Sequence, residues 1–334
     1  METDMARCGL CMVACAGLLS IAAASDANAQ GDYPNKAVRI VVDSAPGSAT
    51  DVTLRVVAER LSRIWNQQVV ALNHPGAGGS IAARVAAQSP NDGYTLSFAA
   101  ASTFTALAGA PGVPANLPIQ VPRDFLPIGF VSQQPMFIAA SPKSGINSIA
   151  DLIALAKKSP GEISYATTGV GRITHLTMEL LQMRAGIKLQ MIPYAGGPSQ
   201  ALSDLIAGRV QIVLDGYSGV GPGIEGGSTK GIAVATSKRL PEFPNLPTVA
   251  ETLPGFFAGG WNVLVAPLGT LDAIIRKVSA DLRTALDDKG AQAKLAALGT
   301  YVQPMTPGEL TVFIQEQQKV WKPVAEAVAA AQKK

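Results

Sequence analysis

Val38-Arg39-Ile40-Val41-Val42, followed by Asp43-Ser44-Ala45-Pro46-Gly47-Ser48-Ala49-Thr50-Asp51, is the stretch that decides how this chain folds. Five mostly β-branched residues predict a buried strand, and the small, turn-forming residues after it predict a loop. Leu54, Val57, Ala58, Leu61, Ile64 and Trp65 then recur at helical spacing, so a helix should run to Trp65 with one apolar stripe. Thr50 or Asp51 is the expected cap. A short strand and the loop Asn73-His74-Pro75-Gly76-Ala77-Gly78-Gly79-Ser80 follow. Strand, glycine-bearing loop and helix N-terminus in that order put bare backbone N–H groups at a strand end, a place where α/β proteins hold anions. Gly47 lets the backbone approach a ligand, and Pro46 fixes the turn without offering a donor.

The same order recurs downstream. The pattern predicts a helix around Ile149–Lys158, a strand at Ile163–Ala166, the loop Thr167-Thr168-Gly169-Val170-Gly171-Arg172, and a helix from near Ile173 to Met183. Further strands are expected at Thr95–Ala100, Met191–Tyr194, Val210–Leu214 and Ile232–Ala235, with a helix at Ala201–Ala207. Pro111–Pro127 reads as loop, as does the proline-bearing connector Lys238–Glu251. Ile128–Ala140 reads as extended chain interrupted at Gln133-Gln134-Pro135, and there we place the first crossing between two domains; Trp261–Ala266 is the return crossing. The tail to Lys334 reads as mainly helical, with a break at Gly299–Pro307.

Cys8–Ala24 is almost wholly small and apolar, and Ala27-Asn28-Ala29 before Gln30 has the form of a signal-peptidase site, so residues 1–29 read as an export signal. About 15 apolar residues fall short of the ~20 that span a bilayer. All three cysteines, Cys8, Cys11 and Cys15, lie in that segment, which leaves the exported chain without a disulfide, a thiolate metal ligand or a cysteine nucleophile. Its removal takes away Arg7 with Glu2, Asp4 and Asp26 and shifts the net charge from +3 to +5. That suits a small anionic ligand and falls far short of a nucleic-acid footprint.

Enzyme chemistry is poorly provided. His74 and His175 are the only histidines, with no spacing suited to zinc, and neither a Walker nor a dinucleotide signature is completed. Gly216-Tyr217-Ser218-Gly219 brings its second glycine one residue too early for a nucleophile elbow and reads as a turn. We expect no cofactor and no metal. His175 reads as holding its loop rather than acting as a base, and His74 as a loop residue. Asp215, at a strand end facing the cleft, could accept a hydrogen bond from an amine or hydroxyl of a ligand or cap a neighbouring turn.

Taken in order, Tyr33-Pro34-Asn35-Lys36, Ala45-Pro46-Gly47 with Asp51, Asn73-x-Pro75-Gly76-Ala77-Gly78-Gly79, Pro90-x-Asp92-Gly93-Tyr94-Thr95-Leu96, Gly169-x-Gly171 with His175-Leu176, Pro193-Tyr194 with Gly197, Asp215, and Pro247-Thr248-Val249-Ala250-Glu251 resemble the receptors of tripartite tricarboxylate transporters, the Bug or TctC-type solute-binding proteins. The resemblance covers nearly the whole exported chain. It implies an α/β, two-lobed type II periplasmic-binding-protein fold with a cleft between lobes. The lobes would be 30–128 with 260–334, and 129–259. It also implies a non-catalytic periplasmic receptor, a monomer, that captures a small carboxylated ligand, a carboxylic acid or an acidic amino acid, for integral-membrane transporter subunits and binds no nucleic acid. A secreted α/β hydrolase and a ligand sensor for a membrane signalling partner are the rival readings.

Ligand-binding residues are then expected at Ser44, Ala45, Gly47, Ser48 and Asp51 in the first loop, at Thr167, Thr168, Gly169, Gly171, Arg172 and His175 in the second, and at Tyr194 and Asp215. The chain departs from the family pattern at Asp43 and Ser44, where a proline and a bulky apolar residue are usual, at Ser48, usually glycine, and at Arg172, usually Ser or Thr. Arg172 could clamp a carboxylate or face solvent at its helix start. Asp43, beside an anion site, should point away or pair with a basic side chain.

Overall fold

The computed structural model describes residues 33–105, 119–121, 123–194 and 197–332. The expected export signal, the three cysteines within it and most of Pro111–Pro127 lie outside them. The first unit runs β1 (Val38–Val42), α1 (Ala49–Trp65), β2 (Val69–Asn73), a 3-10 turn at Ala77–Gly79, α2 (Ser80–Ala87), β3 (Thr95–Ala100), α3 (Ala101–Thr105) and β4 (Phe125–Pro135). The second runs β5 (Phe137–Ala140), α4 (Ile149–Lys158), β6 (Ser164–Thr167), α5 (Ile173–Ala185), β7 (Gln190–Pro193), α6 (Pro198–Ala207), β8 (Ile212–Asp215), α7 (Tyr217–Glu225) and β9 (Lys230–Val234). A 3-10 turn at Val249–Glu251 leads into β10 (Gly259–Pro267), α8 (Asp272–Asp287), α9 (Lys289–Ala296), β11 (Tyr301–Met305) and α10 (Pro307–Gln332).

Two mixed sheets result, ordered β11-β4-β10-β3-β1-β2 and β7-β6-β8-β5-β9. β1 pairs parallel with β2 and β3, and β6 pairs parallel with β7 and β8, each joined through a helix as parallel neighbours require. The chain passes between the sheets at two adjacent places. Pro135 of β4 pairs with Gly259 of β10, while Phe137 already pairs with Asp215 and Val234 in the second sheet. Between them the Ala235 N–H donates to Met136 O at 2.8 Å, and the Ala258 N–H to Ala235 O at 2.9 Å.

Several expectations give way here. The extended stretch breaks at Met136 rather than at Gln133-Gln134-Pro135, because those three residues find partners in Trp261, Gly260 and Gly259. Phe125–Pro127, expected as loop, begin β4. Residues 301–305, expected as a break in the helical tail, pair antiparallel with β4. The run from Tyr217, expected as a turn, is a nine-residue helix. Ser48 caps α1, its hydroxyl accepting the Asp51 N–H, and Ile64 leaves the buried stripe with 39% exposure. Among the described residues no helix is long and apolar enough to cross a membrane.

Candidate functional site

A cleft of about 250 Å³ lies where the sheets meet, and it is built from strand ends and helix starts. Ser44, Ala45, Ser48, Ala49 and Thr50 line it from the β1–α1 loop, and Thr168, Gly169, Val170, Arg172, Ile173 and Thr174 from the β6–α5 loop. Pro75–Gly78 before α2 and Gly197-Pro198 at the start of α6 add two more helix approaches, and Gln134, Met136, Gly260 and Trp261 of the crossing strands complete it. The N–H groups of Ala49, Thr50, Ile173 and Thr174 make no hydrogen bond within the described residues, as first-turn donors of helices do. Two helix starts, one from each sheet, thus present free donors and positive dipole ends to one space.

The β1–α1 loop is held by a carboxylate. Asp51 accepts from the Gly47 N–H at 2.9 Å, from Arg55 Nε at 2.9 Å and from Asn73 Nδ2 at 2.8 Å. Burial alone would raise this carboxyl, but the bonds from Arg55, Asn73 and Gly47 outweigh it and hold it below the ordinary aspartate value. The β6–α5 loop is held by neutral groups. Thr174 Oγ1 bonds the hydroxyls of Thr167 at 2.7 Å and Thr168 at 2.9 Å and accepts the Thr168 N–H. His175 Nδ1 accepts the Gly171 N–H at 3.1 Å. Burial pushes the His175 pKa down, against the smaller upward pull of Glu179 at 3.7 Å, so the ring stays the neutral acceptor this contact requires.

Asp43 and Arg172 meet across the cleft. Asp43 is 2% exposed, and its Oδ2 accepts from the Ala100 N–H at 3.0 Å and the Thr103 hydroxyl at 2.6 Å, while Oδ1 takes the Ser44 hydroxyl. Arg172 Nη1 approaches Oδ2 to 3.6 Å, and Nη2 donates to Ser44 Oγ at 2.9 Å. The arginine is therefore neither a solvent-facing helix-start residue nor an unoccupied clamp: its side chain is 15% exposed and already engaged on the opposite wall.

Asp215 ends β8 in the cleft. Its Oδ1 accepts the Gly216 N–H at 2.7 Å, and its Oδ2 has no hydrogen-bond partner among the described residues. Burial pushes its carboxyl up to about 6, against opposing pulls from the Gly216 N–H and Arg172.

Of the expected site residues, Ser44, Ala45, Ser48, Thr168, Gly169, Arg172 and Asp215 line the cleft, whereas Gly47, Asp51, Thr167, Gly171, His175 and Tyr194 lie outside its lining. Tyr194 turns its hydroxyl to Asp204 Oδ2 at 2.6 Å. Sequence reasoning missed Gln134, Met136 and Trp261, although any residue at a crossing between two units must sit between them. It also left out Pro75–Gly78, quoted as a motif but given no site role. Trp261 is 2% exposed, stacks on Phe104 at 5.4 Å, and its Nε1–H has no partner among the described residues.

Residues 53–329 match the model of the tripartite tricarboxylate transporter family receptor. The chain belongs to that family. The receptor is 34% identical over 300 residues to protein BugT of Bordetella pertussis, an alignment covering 89% of this chain and 91% of BugT. Among solved structures it resembles a protein of R. palustris with adipate, at 29% identity and a TM-score of 0.81, covering 90% of this chain and 99% of that one. It also resembles MatC of Rhodopseudomonas palustris with bound malate, at 26% identity and a TM-score of 0.78, covering 88% and 100%. The receptor thus has the two-lobed α/β fold of periplasmic solute-binding proteins, and its relatives are receptors rather than enzymes.

Proposed function

We propose that the receptor binds a small carboxylated ligand in the cleft between its sheets and presents the closed complex to integral-membrane transporter subunits. The observation that carries this reading is the pair of helix starts, α1 and α5, whose free N–H groups face one space from opposite sheets. A carboxylate bridging them would bind best when the walls are close, so ligand would favour the closed form. Adipate and malate, the ligands of the two R. palustris relatives, support the ligand class. In this reading the ligand-contacting residues are the seven expected ones that line the cleft, with Ala49, Thr50, Ile173, Thr174 and Trp261 added. The lobes divide near Met136 and Ala258, where the two crossing segments run side by side. The protein works in the periplasm as a monomer after cleavage following Ala29.

A thermal-shift panel of mono-, di- and tricarboxylates, amino acids and sugars tests it. At 100 times its dissociation constant a ligand adds ~2.7 kcal/mol, so carboxylates should raise the melting temperature by several degrees and sugars should not. A panel in which no carboxylate shifts the transition would remove the reading.

A further inference from the structure

Arg172 stands where its charge is locally unwelcome. It is the N-cap residue of α5 and its side chain makes no capping hydrogen bond, while a cation at a helix start opposes the positive end of the dipole. The compensation comes from the other wall. Nη2 donates to Ser44 Oγ at 2.9 Å, and Nη1 donates to the Asp43 carbonyl at 3.4 Å and lies 3.6 Å from Asp43 Oδ2. Asp43 and Ser44 follow β1 of the first sheet and Arg172 follows β6 of the second, so these contacts tie the two units together. Among the described residues, side-chain hydrogen bonds or ion pairs join the units at one other place, where the Tyr301 hydroxyl of β11 donates to Glu242 Oε2 at 2.6 Å. The walls also touch at the start of α1, since a Cβ on Gly216 would lie 2.9 Å from the Ala49 side chain.

We propose that Arg172 is a latch that holds the cleft closed without a ligand and so sets how tightly the receptor binds whatever the cleft accepts. Every atom in the contact belongs to the protein, so closure by this route waits for no ligand. The planar guanidinium carries a fork of N–H donors and serves a hydroxyl, a carbonyl and a carboxylate together, which a shorter side chain cannot do. Its side chain is 15% exposed, so salt screens the pair only weakly. When the walls part, Arg172 and Ser44 exchange their contact for water, while Asp43 keeps the Thr103 hydroxyl and the Ala100 N–H. The first wall therefore stays ordered in the open form. A ligand meets a receptor already biased towards closure, and its apparent affinity rises with the closed fraction. Entry in turn requires Arg172 to let go. The latch acts on any ligand class and goes beyond the carboxylate reading.

Distances between nitroxide labels in ligand-free protein, refolded from denaturant to remove any bound solute, test the latch. The chain from Gln30 onward has no cysteine, so Gln88→Cys with Lys158→Cys, and Arg283→Cys with Ser203→Cys, place labels only at these exposed positions, one on each unit in either pair. The parent should show one dominant short distance for each pair. Arg172→Ser should move about half of the population or more to longer distances in at least one pair, and Ser44→Ala, which keeps the Asp43 contacts, should move a smaller share. Thermal unfolding checks that both variants are folded, and Ser44→Ala carries the test if Arg172→Ser is not. Distributions that are the same in the parent and the folded variants, or a parent already spread over the long distances, would overturn the latch. Weaker ligand binding by Arg172→Ser with unchanged distances would overturn it too, since a direct ligand contact alone would give that result. Each of these leaves the carboxylate reading standing, because the distances are measured without ligand and the panel decides that reading separately.

Discussion

Each wall of the cleft ends a strand in an aspartate, and the two carboxylates live in opposite circumstances. Asp43, at the end of β1, is saturated by the Ser44 and Thr103 hydroxyls, the Ala100 N–H and Arg172. Asp215, at the end of β8, has one backbone donor, and its second oxygen takes no hydrogen bond among the described residues. The first acid serves the architecture, tying β1 to the start of α3 and receiving the arm that reaches over from the second wall. The other has a single backbone donor, and burial makes its ionisation costly to the folded state. The same residue type at the same topological position does different work because one site offers donors and the other withholds them.

Breaking the first wall should cost most. Asp43→Ala leaves the Ala100 N–H, the Thr103 hydroxyl and the Arg172 guanidinium without their acceptor in a buried setting, where removing one partner of a charge pair costs ~3–5 kcal/mol. Urea unfolding should show the midpoint falling accordingly with little change in slope. A loss under ~1 kcal/mol would mean that Arg172 and Thr103 find other partners and that the two acids are less different than their contacts suggest.

The second wall should respond with the opposite sign. The folded protein raises the Asp215 carboxyl from 3.8 to about 6, so it binds that proton more tightly than the unfolded chain does. Ionisation therefore costs stability as pH rises from about 4 to about 6, and above that the full penalty of about 3 kcal/mol persists. Asp215→Asn should be more stable than the parent at pH 7.5 by an amount approaching that figure, and should match it near pH 3.5. Thermal unfolding of both proteins from pH 3.5 to 8 measures the difference. A variant that is equally stable at every pH would mean that water or a side-chain movement satisfies the ionised acid.

Legibility in the sequence followed the same division. The β1–α1 and β6–α5 units are plain in the sequence because strand propensity, glycine-bearing loops and helical spacing each act locally, although the α1 cap falls on Ser48 rather than on Thr50 or Asp51. The helix Tyr217–Glu225 was hidden by composition, since Gly219, Gly221, Gly223 and Pro222 all argue against a helix. Its reason is packing. A Cβ on Gly219 would lie 2.6 Å from Asp215 Oδ2, one on Gly221 2.8 Å from the Tyr217 ring, and one on Gly223 2.7 Å from Thr229. Close approach of α7 to β8 and to its own ring needs the glycines, and no local rule reveals that. β11 was hidden likewise, because Val302 and Met305 find strand partners only in β4. At the site, helix starts were legible and the crossing-strand floor was not. Nor could spacing show that Arg172 would be met by Asp43, 129 residues earlier.

The smallest effect tests whether the first loop contributes its backbone to the ligand at Gly47 or only downstream of it. Gly47 has φ of +78°, lies outside the cleft lining, and a Cβ built on it meets nothing within 4 Å. Gly47→Ala therefore carries only the left-handed backbone penalty of ~1–2 kcal/mol and no clash. Its N–H still reaches Asp51 Oδ2, so the loop keeps its anchor and the free donors at Ala49 and Thr50 keep their aim. Stability should drop by about 1 kcal/mol, while affinity for the best ligand of the panel should stay within about twofold, a difference of under ~0.5 kcal/mol. A tenfold loss of affinity in a folded Gly47→Ala protein would place the ligand against the turn itself, and the first wall would then meet its ligand through the loop rather than through the helix start.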